Sequence, residues 1–279
     1  MENLPPVVVG IAIFIFGLII GSFLNVVIYR LPLGESVVFP GSHCPACDAS
    51  IQAYDNIPVF SYLALGGKCR SCRIRISPIY PAVELLVGLL YLFLFFKDGL
   101  SLLLLADIVF VSLIVPLVFI DLNHKILPNA ITYPGFPLMV LLRLLTPDTE
   151  IVRSKLWAAG LVQSPEWAVA LTGSMLGAAV GGGSLWLIRE AYFRLRHVEG
   201  MGLGDVKMML MVGAYLGWPL TILTIFVASL LGSIIGMMLI WLRGGTMKME
   251  IPFGVFLGPS SIIMLFFGQR LLEWYLSLY

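Results

Sequence analysis

Eight long apolar runs limit what this chain can become. They cover residues 7–29, 80–96, 100–120, 130–146, 166–187, 206–218, 220–241 and 252–269. A helix needs about 20 mostly apolar residues to cross the hydrocarbon core of a bilayer. An all-α, polytopic membrane protein with about eight transmembrane helices is therefore expected. The sixth run is short, and Pro219 separates it from the seventh. Whether these two are separate spans is the open point of the layout.

Composition agrees with that layout. Hydrophobic residues make up 59% of the 279, and charged residues only 12%, against roughly 25% charged in a soluble domain. The lipid bilayer is thus the first partner. A net charge of +1 without a basic stripe excludes nucleic acid as a partner. The leading "MENLPP" carries an acid and no base, which does not suit a cleavable signal peptide. With the N-terminus outside, twelve of the seventeen Lys and Arg residues fall on inner loops and helix edges, and five on the outer side. That distribution obeys the positive-inside rule.

Two features interrupt the apolar pattern. The first is a polar segment, about residues 31–79, that holds every cysteine. It reads Cys44-x2-Cys47, then 21 residues, then Cys69-x2-Cys72. Two such pairs turn four thiolates toward one point, a pattern typical of structural zinc. The alternative is two disulfides, which a reducing cytosol disfavours. Sulfur fills all four positions, so the zinc would be structural. His43 is either a spare ligand or a solvated loop residue. Small-residue spacing at Gly173, Gly177 and Gly181, and at Gly232 and Gly236, is expected to pack helices closely.

The second feature is a set of acids at or in the membrane: Glu84, Asp107, Asp121, Glu199 and Asp205. Such groups are expensive in lipid and usually functional. Asp107 precedes Asp121 by 14 residues, about 21 Å along a continuous helix, so it is expected to make a structural contact only. Asp121 and Asp205 fall at one depth, on one side, on different helices. Brought together they would share one proton. One could then take a proton from water while the other donates to a carbonyl, as in aspartic proteases. Alternatively each pairs with a nearby base, Lys125 or Lys207. Pro116 can kink the helix before Asp121. In "GMGLGD" (200–205), Gly202 and Gly204 allow non-helical backbone before Asp205. Those glycines are expected to shape a channel for an extended substrate strand. There is no HExxH or GxSxG motif. His124 is expected to be a loop or supporting residue.

The chain resembles the bacterial type IV prepilin peptidases, the leader peptidase/N-methyltransferases, within the GxGD intramembrane aspartyl proteases. The matching stretches are "GSFLNVVIYRLP" (21–32), the paired CxxC loop, "YPAVELL" (80–86), "IDLNHKILPN" (120–129) and "GMGLGDVK" (200–207). The resemblance implies catalytic aspartates at Asp121 and Asp205. It implies substrates among type IV prepilins and type II secretion pseudopilins, each with a short basic leader, a Gly–Phe-like junction and a hydrophobic helix. It also implies N-methylation of the new N-terminus with S-adenosylmethionine, with Glu84 as a possible accessory residue or else a packing acid paired with Arg or Lys. The implied location is the bacterial cytoplasmic (inner) membrane, with the active site toward the cytosol. The implied organisation is an N-terminal prepilin peptidase region at 10–98, a catalytic region at 100–218, and C-terminal transmembrane helices at 219–279. The rival readings are an ion-coupled transporter using the aspartate pair, and a methyltransferase or assembly scaffold without peptidase activity.

Overall fold

A computed structural model of the chain describes residues 5–147, 165–198, 200–243 and 252–278. Among the described residues lie nine α-helices. They are α1 (Pro6–Arg30), α2 (Phe60–Ala64), α3 (Ile79–Asp98), α4 (Leu102–His124), α5 (Asn129–Leu145), α6 (Glu166–Arg196), α7 (Leu203–Leu216), α8 (Trp218–Arg243) and α9 (Gly254–Leu276). The described residues contain no strand, and the loop between α1 and α3 has two isolated antiparallel bridges, His43 with Ser50 and Lys68 with Arg75.

Each of the eight apolar runs is a helix. Six of them, α1, α3, α4, α6, α8 and α9, are long and apolar enough to cross a membrane. The other two are shorter, with 17 residues in α5 and 14 in α7. Side chains such as Ile11, Ile15, Phe226 and Met237 are large, apolar and exposed, as expected of helix faces turned to lipid.

The sixth and seventh runs are separate helices. The chain breaks at Gly217, with φ 78°, a left-handed conformation that a residue without a Cβ adopts at no steric cost. Pro219 follows as the second residue of α8, where its missing N–H would be unpaired anyway. The proline therefore starts the seventh helix, and the glycine ends the sixth. At Pro116, α4 continues as a helix. One turn earlier, the Ser112 hydroxyl bonds the Ile108 carbonyl and the Tyr91 hydroxyl, each at 2.6 Å.

The chain divides into two compact units, Met1–Pro116 and Leu117–Tyr279. In the first, α1 packs along α3 through a Gly17-x3-Gly21 face. A Cβ on Gly17 would lie 2.8 Å from Gly88 Cα, and one on Gly21 would lie 2.7 Å from Glu84 Cα. Further along α4, Asp107 is buried against Lys97, with Nζ 2.7 Å from its carboxylate, which is the structural contact its position suggested. In the second unit, α7 is packed against α6, α5 and α9. A Cβ on Gly177 of α6 would overlap the Gly213 carbonyl of α7, and one on Gly181 would overlap that of Met209. The expected small-residue packing therefore holds there, whereas Gly173 faces open space and Gly232 sits near the Phe256 ring.

Candidate active site

Three helix ends of the second unit meet at two carboxylates. Asp121 lies in the last turn of α4, and Asp205 is the third residue of α7. Both are buried, at 4% and 7% exposure. Gly254, the first residue of α9, touches both. A Cβ built on it would be 2.6 Å from Asp121 Oδ2 and 3.3 Å from Asp205 Oδ1. Those two oxygens are thus no farther apart than the sum of these two distances. The backbone amides of Val255 and Gly254 face Asp121, and those of Gly254 and Gly202 face Asp205. Asp121 Oδ2 is nevertheless buried with no hydrogen-bond partner. A buried, unpaired carboxylate oxygen costs free energy and calls for a reason, such as a catalytic role or a water.

The local sequence explains the placement. Gly202 is extended at the entry to α7, with ψ 145°, and Asp205 follows in the first helical turn, where free N–H groups favour negative charge. Gly204 is already helical. A Cβ there would stand 2.8 Å from Leu127 Cβ, so its smallness lets α7 press on the segment that leaves α4. The non-helical backbone expected before Asp205 therefore ends at Gly202. Lys207, one of the two bases that could have neutralised an aspartate, lies elsewhere. Its ammonium is 2.8 Å from Asn129 Oδ1 and 4.8 Å from the centre of the Tyr133 ring. Glu199 lies outside the described residues.

The four cysteines form a second centre, in the first unit. Their sulfurs all lie within 4.8 Å of one another, with Cys44 Sγ and Cys72 Sγ 3.8 Å apart. A tetrahedron with metal–sulfur bonds of about 2.3 Å has edges of about 3.8 Å. No disulfide joins them. The two CxxC turns are built alike. Cys44 N–H bonds Ala49 O and Cys69 N–H bonds Ile74 O, each at 2.9 Å. The residue after each second cysteine, Asp48 or Arg73, is left-handed, with φ 52° and 60°. Within this cluster the backbone N–H groups of Cys72 and Ser71 draw the Cys69 thiol down to about 7, while Cys47 is pushed up to about 12 against its sulfur neighbours, so one thiolate forms first among the four. The cluster could therefore hold a metal ion. His43 is not in it: its Nδ1 lies 3.1 Å from Gly41 O. Asp55 and Arg70 brace the loop through two hydrogen bonds of 2.6 and 2.7 Å. The guanidinium holds the Asp55 carboxyl below its ordinary range.

Other residues of the stretches that carry the resemblance fasten this loop to its helices. Arg30 is 6% exposed and donates to three loop carbonyls, those of Ser36, Pro40 and Gly41, at 3.1, 2.7 and 3.1 Å. Asn25 donates to Tyr80 O at 3.0 Å. Glu84 accepts the Val59 N–H at 2.7 Å and faces the Ser22 hydroxyl. Val59 has φ 61°, a region that a β-branched residue rarely adopts unless something holds it. Glu84 therefore has a loop amide as its partner, in place of the Arg or Lys expected of a packing acid. Gly254 was missed from sequence, because "IPFGVFLGP" (251–259) read only as the start of a span. A Pro-Phe-Gly step at the mouth of an apolar run was the available signal.

Comparison with known proteins adds the following. Two family models match, the bacterial peptidase A24 N-terminal domain over residues 15–97 and the type IV leader peptidase family over residues 108–237. A protein of Myxococcus xanthus named prepilin leader peptidase/N-methyltransferase is 37% identical over 236 residues. That match spans 84% of this chain and 64% of the Myxococcus protein. Proteins of the same name from Aeromonas salmonicida and Pseudomonas aeruginosa are 34% and 32% identical. The matches cover 95% and 98% of this chain, and 93% and 95% of theirs. No solved structure gives a significant match.

Proposed function

The chain belongs to the type IV leader peptidase family, and from that premise we propose that it cleaves prepilin leaders by aspartate-pair catalysis. Substrates are type IV prepilins and the pseudopilins of type II secretion. The observation that carries the catalytic assignment is the meeting of Asp121 and Asp205 at Gly254. One proton is held between the two carboxylates. The ionised partner takes a proton from water as its oxygen attacks the scissile carbonyl carbon. The protonated partner donates to the carbonyl oxygen, giving a neutral tetrahedral diol. Collapse of the diol breaks the C–N bond and returns a proton to the leaving nitrogen. Gly202 and Gly204 border the path of the extended junction. The site faces the cytosol of the inner membrane, the side to which the excess of Lys and Arg assigns these helix ends.

The enzyme also N-methylates the newly exposed residue. The methyl donor is S-adenosylmethionine, which when bound supplies an electrophilic methyl group. A cleft of about 360 Å³ between α1 and the cysteine loop is lined by Ser22, Phe23, Arg30 and Asn56, among others, and by no Asp or Glu. Its cation is already engaged by three carbonyls. The cleft thus offers no carboxylate to pair with the donor's ammonium. The metal of the Cys44, Cys47, Cys69 and Cys72 cluster is zinc, which four thiolates and no open position favour. It holds the loop together. Region 10–98 carries the loop and region 100–218 both aspartates, while 219–279 adds Gly254 beside them and completes the membrane part.

Purified enzyme in detergent should remove the leader from a prepilin, which a transporter would leave attached. Asp121→Asn and Asp205→Asn should each lower the cleavage rate by at least about 100-fold while pre-cleaved pilin is still methylated. Normal cleavage by either variant would end the proposal. Metal analysis of the purified chain should find about one zinc per chain.

A further inference from the structure

We propose that Gly254 is a positioning residue for the cleavage reaction, and that its bare Cα sets the approach of Asp121 to Asp205. The inference rests on the aspartate-pair reading and goes one residue further.

The argument starts from space. A Cβ on Gly254 would fall 2.6 Å from Asp121 Oδ2, 3.2 Å from its Cγ and 3.3 Å from Asp205 Oδ1. A methyl group therefore fits only if the carboxylate moves. Asp121 has a short side chain, sits in the last turn of α4, and is 4% exposed. Any such movement changes its approach to Asp205. The neighbouring glycines differ in this respect. A Cβ on Gly202 would meet nothing nearer than 3.8 Å, and one on Gly204 meets the Leu127 side chain instead of a carboxylate.

Polarity supports the same assignment. The Gly254 amide faces both carboxylates, so one N–H at the mouth of α9 is common to the pair. Helix starts present such unpaired donors, and they favour negative charge. Independently, Asp121 Oδ2 is buried and unpartnered, and it is the very atom that the added methyl would strike. Gly254 thus leaves this oxygen room beside Asp205, open for the shared proton or the attacking water. Acid–base catalysis depends on this geometry, and small displacements of reacting groups are costly in rate.

The test uses full-length enzyme in detergent and a purified prepilin, with cleavage and methylation measured separately. Gly254→Ala should lower kcat by about 100-fold or more with KM within about 3-fold, and Gly254→Ser should lose at least as much. Both should still methylate pre-cleaved pilin. Gly268→Ala, on the same helix, is the packing control. There the atoms nearest an added Cβ belong to the Leu220 and Met264 side chains, away from either carboxylate, so cleavage should stay within about 3-fold of wild type. Wild-type kcat in Gly254→Ala, with both aspartate variants inactive, overturns the role of Gly254 and leaves the aspartate pair standing. Cleavage by either aspartate variant removes the reading beneath it. Joint loss of cleavage, methylation and thermal stability in Gly254→Ala also overturns the inference, since the glycine would then be a general folding requirement.

Discussion

Arg30 and Glu84 show how charged side chains in this chain do structural work beside a membrane. Arg30 donates its guanidinium N–H groups to three carbonyls of the loop that follows α1, and Glu84 accepts the N–H of Val59. Neither is an ion pair; each satisfies backbone groups that a polar loop could not otherwise pair. Removing one leaves donors or acceptors unpaired, at about 1–3 kcal/mol each when buried. Arg30→Ala should therefore destabilise the protein by roughly 2–4 kcal/mol, and the 31–79 loop should become sensitive to proteases before the helices do. Glu84→Gln keeps an acceptor for Val59 and should cost less, about 1 kcal/mol or below. If Glu84→Gln instead abolished methylation while the loop stayed protease-resistant, Glu84 would act on the substrate and not on the loop. The role of Glu84 was not legible from residue type. A lone carboxylate in "YPAVELL" suggests chemistry, and only the position of Val59 reveals its partner.

At the scale of elements, the same sequence pattern does different work at different places. Gly173, Gly177 and Gly181 share one spacing along α6. Only Gly177 and Gly181 press on the backbone of α7, while Gly173 borders open space. Gly177→Ala should thus force α6 off α7, at about 1–3 kcal/mol or more for overpacking. Because α7 carries Asp205, cleavage should fall with stability. Gly173→Ala should change thermal stability by no more than about 0.5 kcal/mol. Equal effects in thermal melts of the two variants would refute the α6–α7 contact. The cysteine loop behaves as an element of its own, with two matching knuckles that could hold a metal ion and the Asp55–Arg70 brace. Its helical content is one short α-helix, α2, and two 3-10 turns, so a bound metal is expected to add to the hydrogen bonds that hold it. Stripping the metal with a chelator should open residues 31–79 to proteolysis while helical circular dichroism changes little. A loop that stays protected after metal loss would show that packing alone suffices.

On the scale of the whole molecule, the chain is a multi-pass membrane protein with two compact units. The first holds the cysteine cluster and the second holds both aspartates. If the cysteine loop faces the cytosol as proposed, a membrane-impermeant thiol reagent added to intact cells should spare all four cysteines and label them after lysis and chelation. Labelling in intact cells would invert the topology. The apolar runs by themselves determined the helices, because a backbone in lipid has few ways to satisfy its hydrogen bonds. The paired CxxC spacing determined the cysteine cluster, because two short turns suffice to aim four sulfurs at one point. The two aspartates were legible as candidates, because a carboxylate in an apolar run is costly and needs a use. What only the tertiary structure decided was which backbone meets them. Gly254 lies 133 positions after Asp121 and 49 after Asp205, and no local pattern records that separation. Its role comes from three helix ends converging, and a steric vacancy of one methyl group exists only once α4, α7 and α9 are in place.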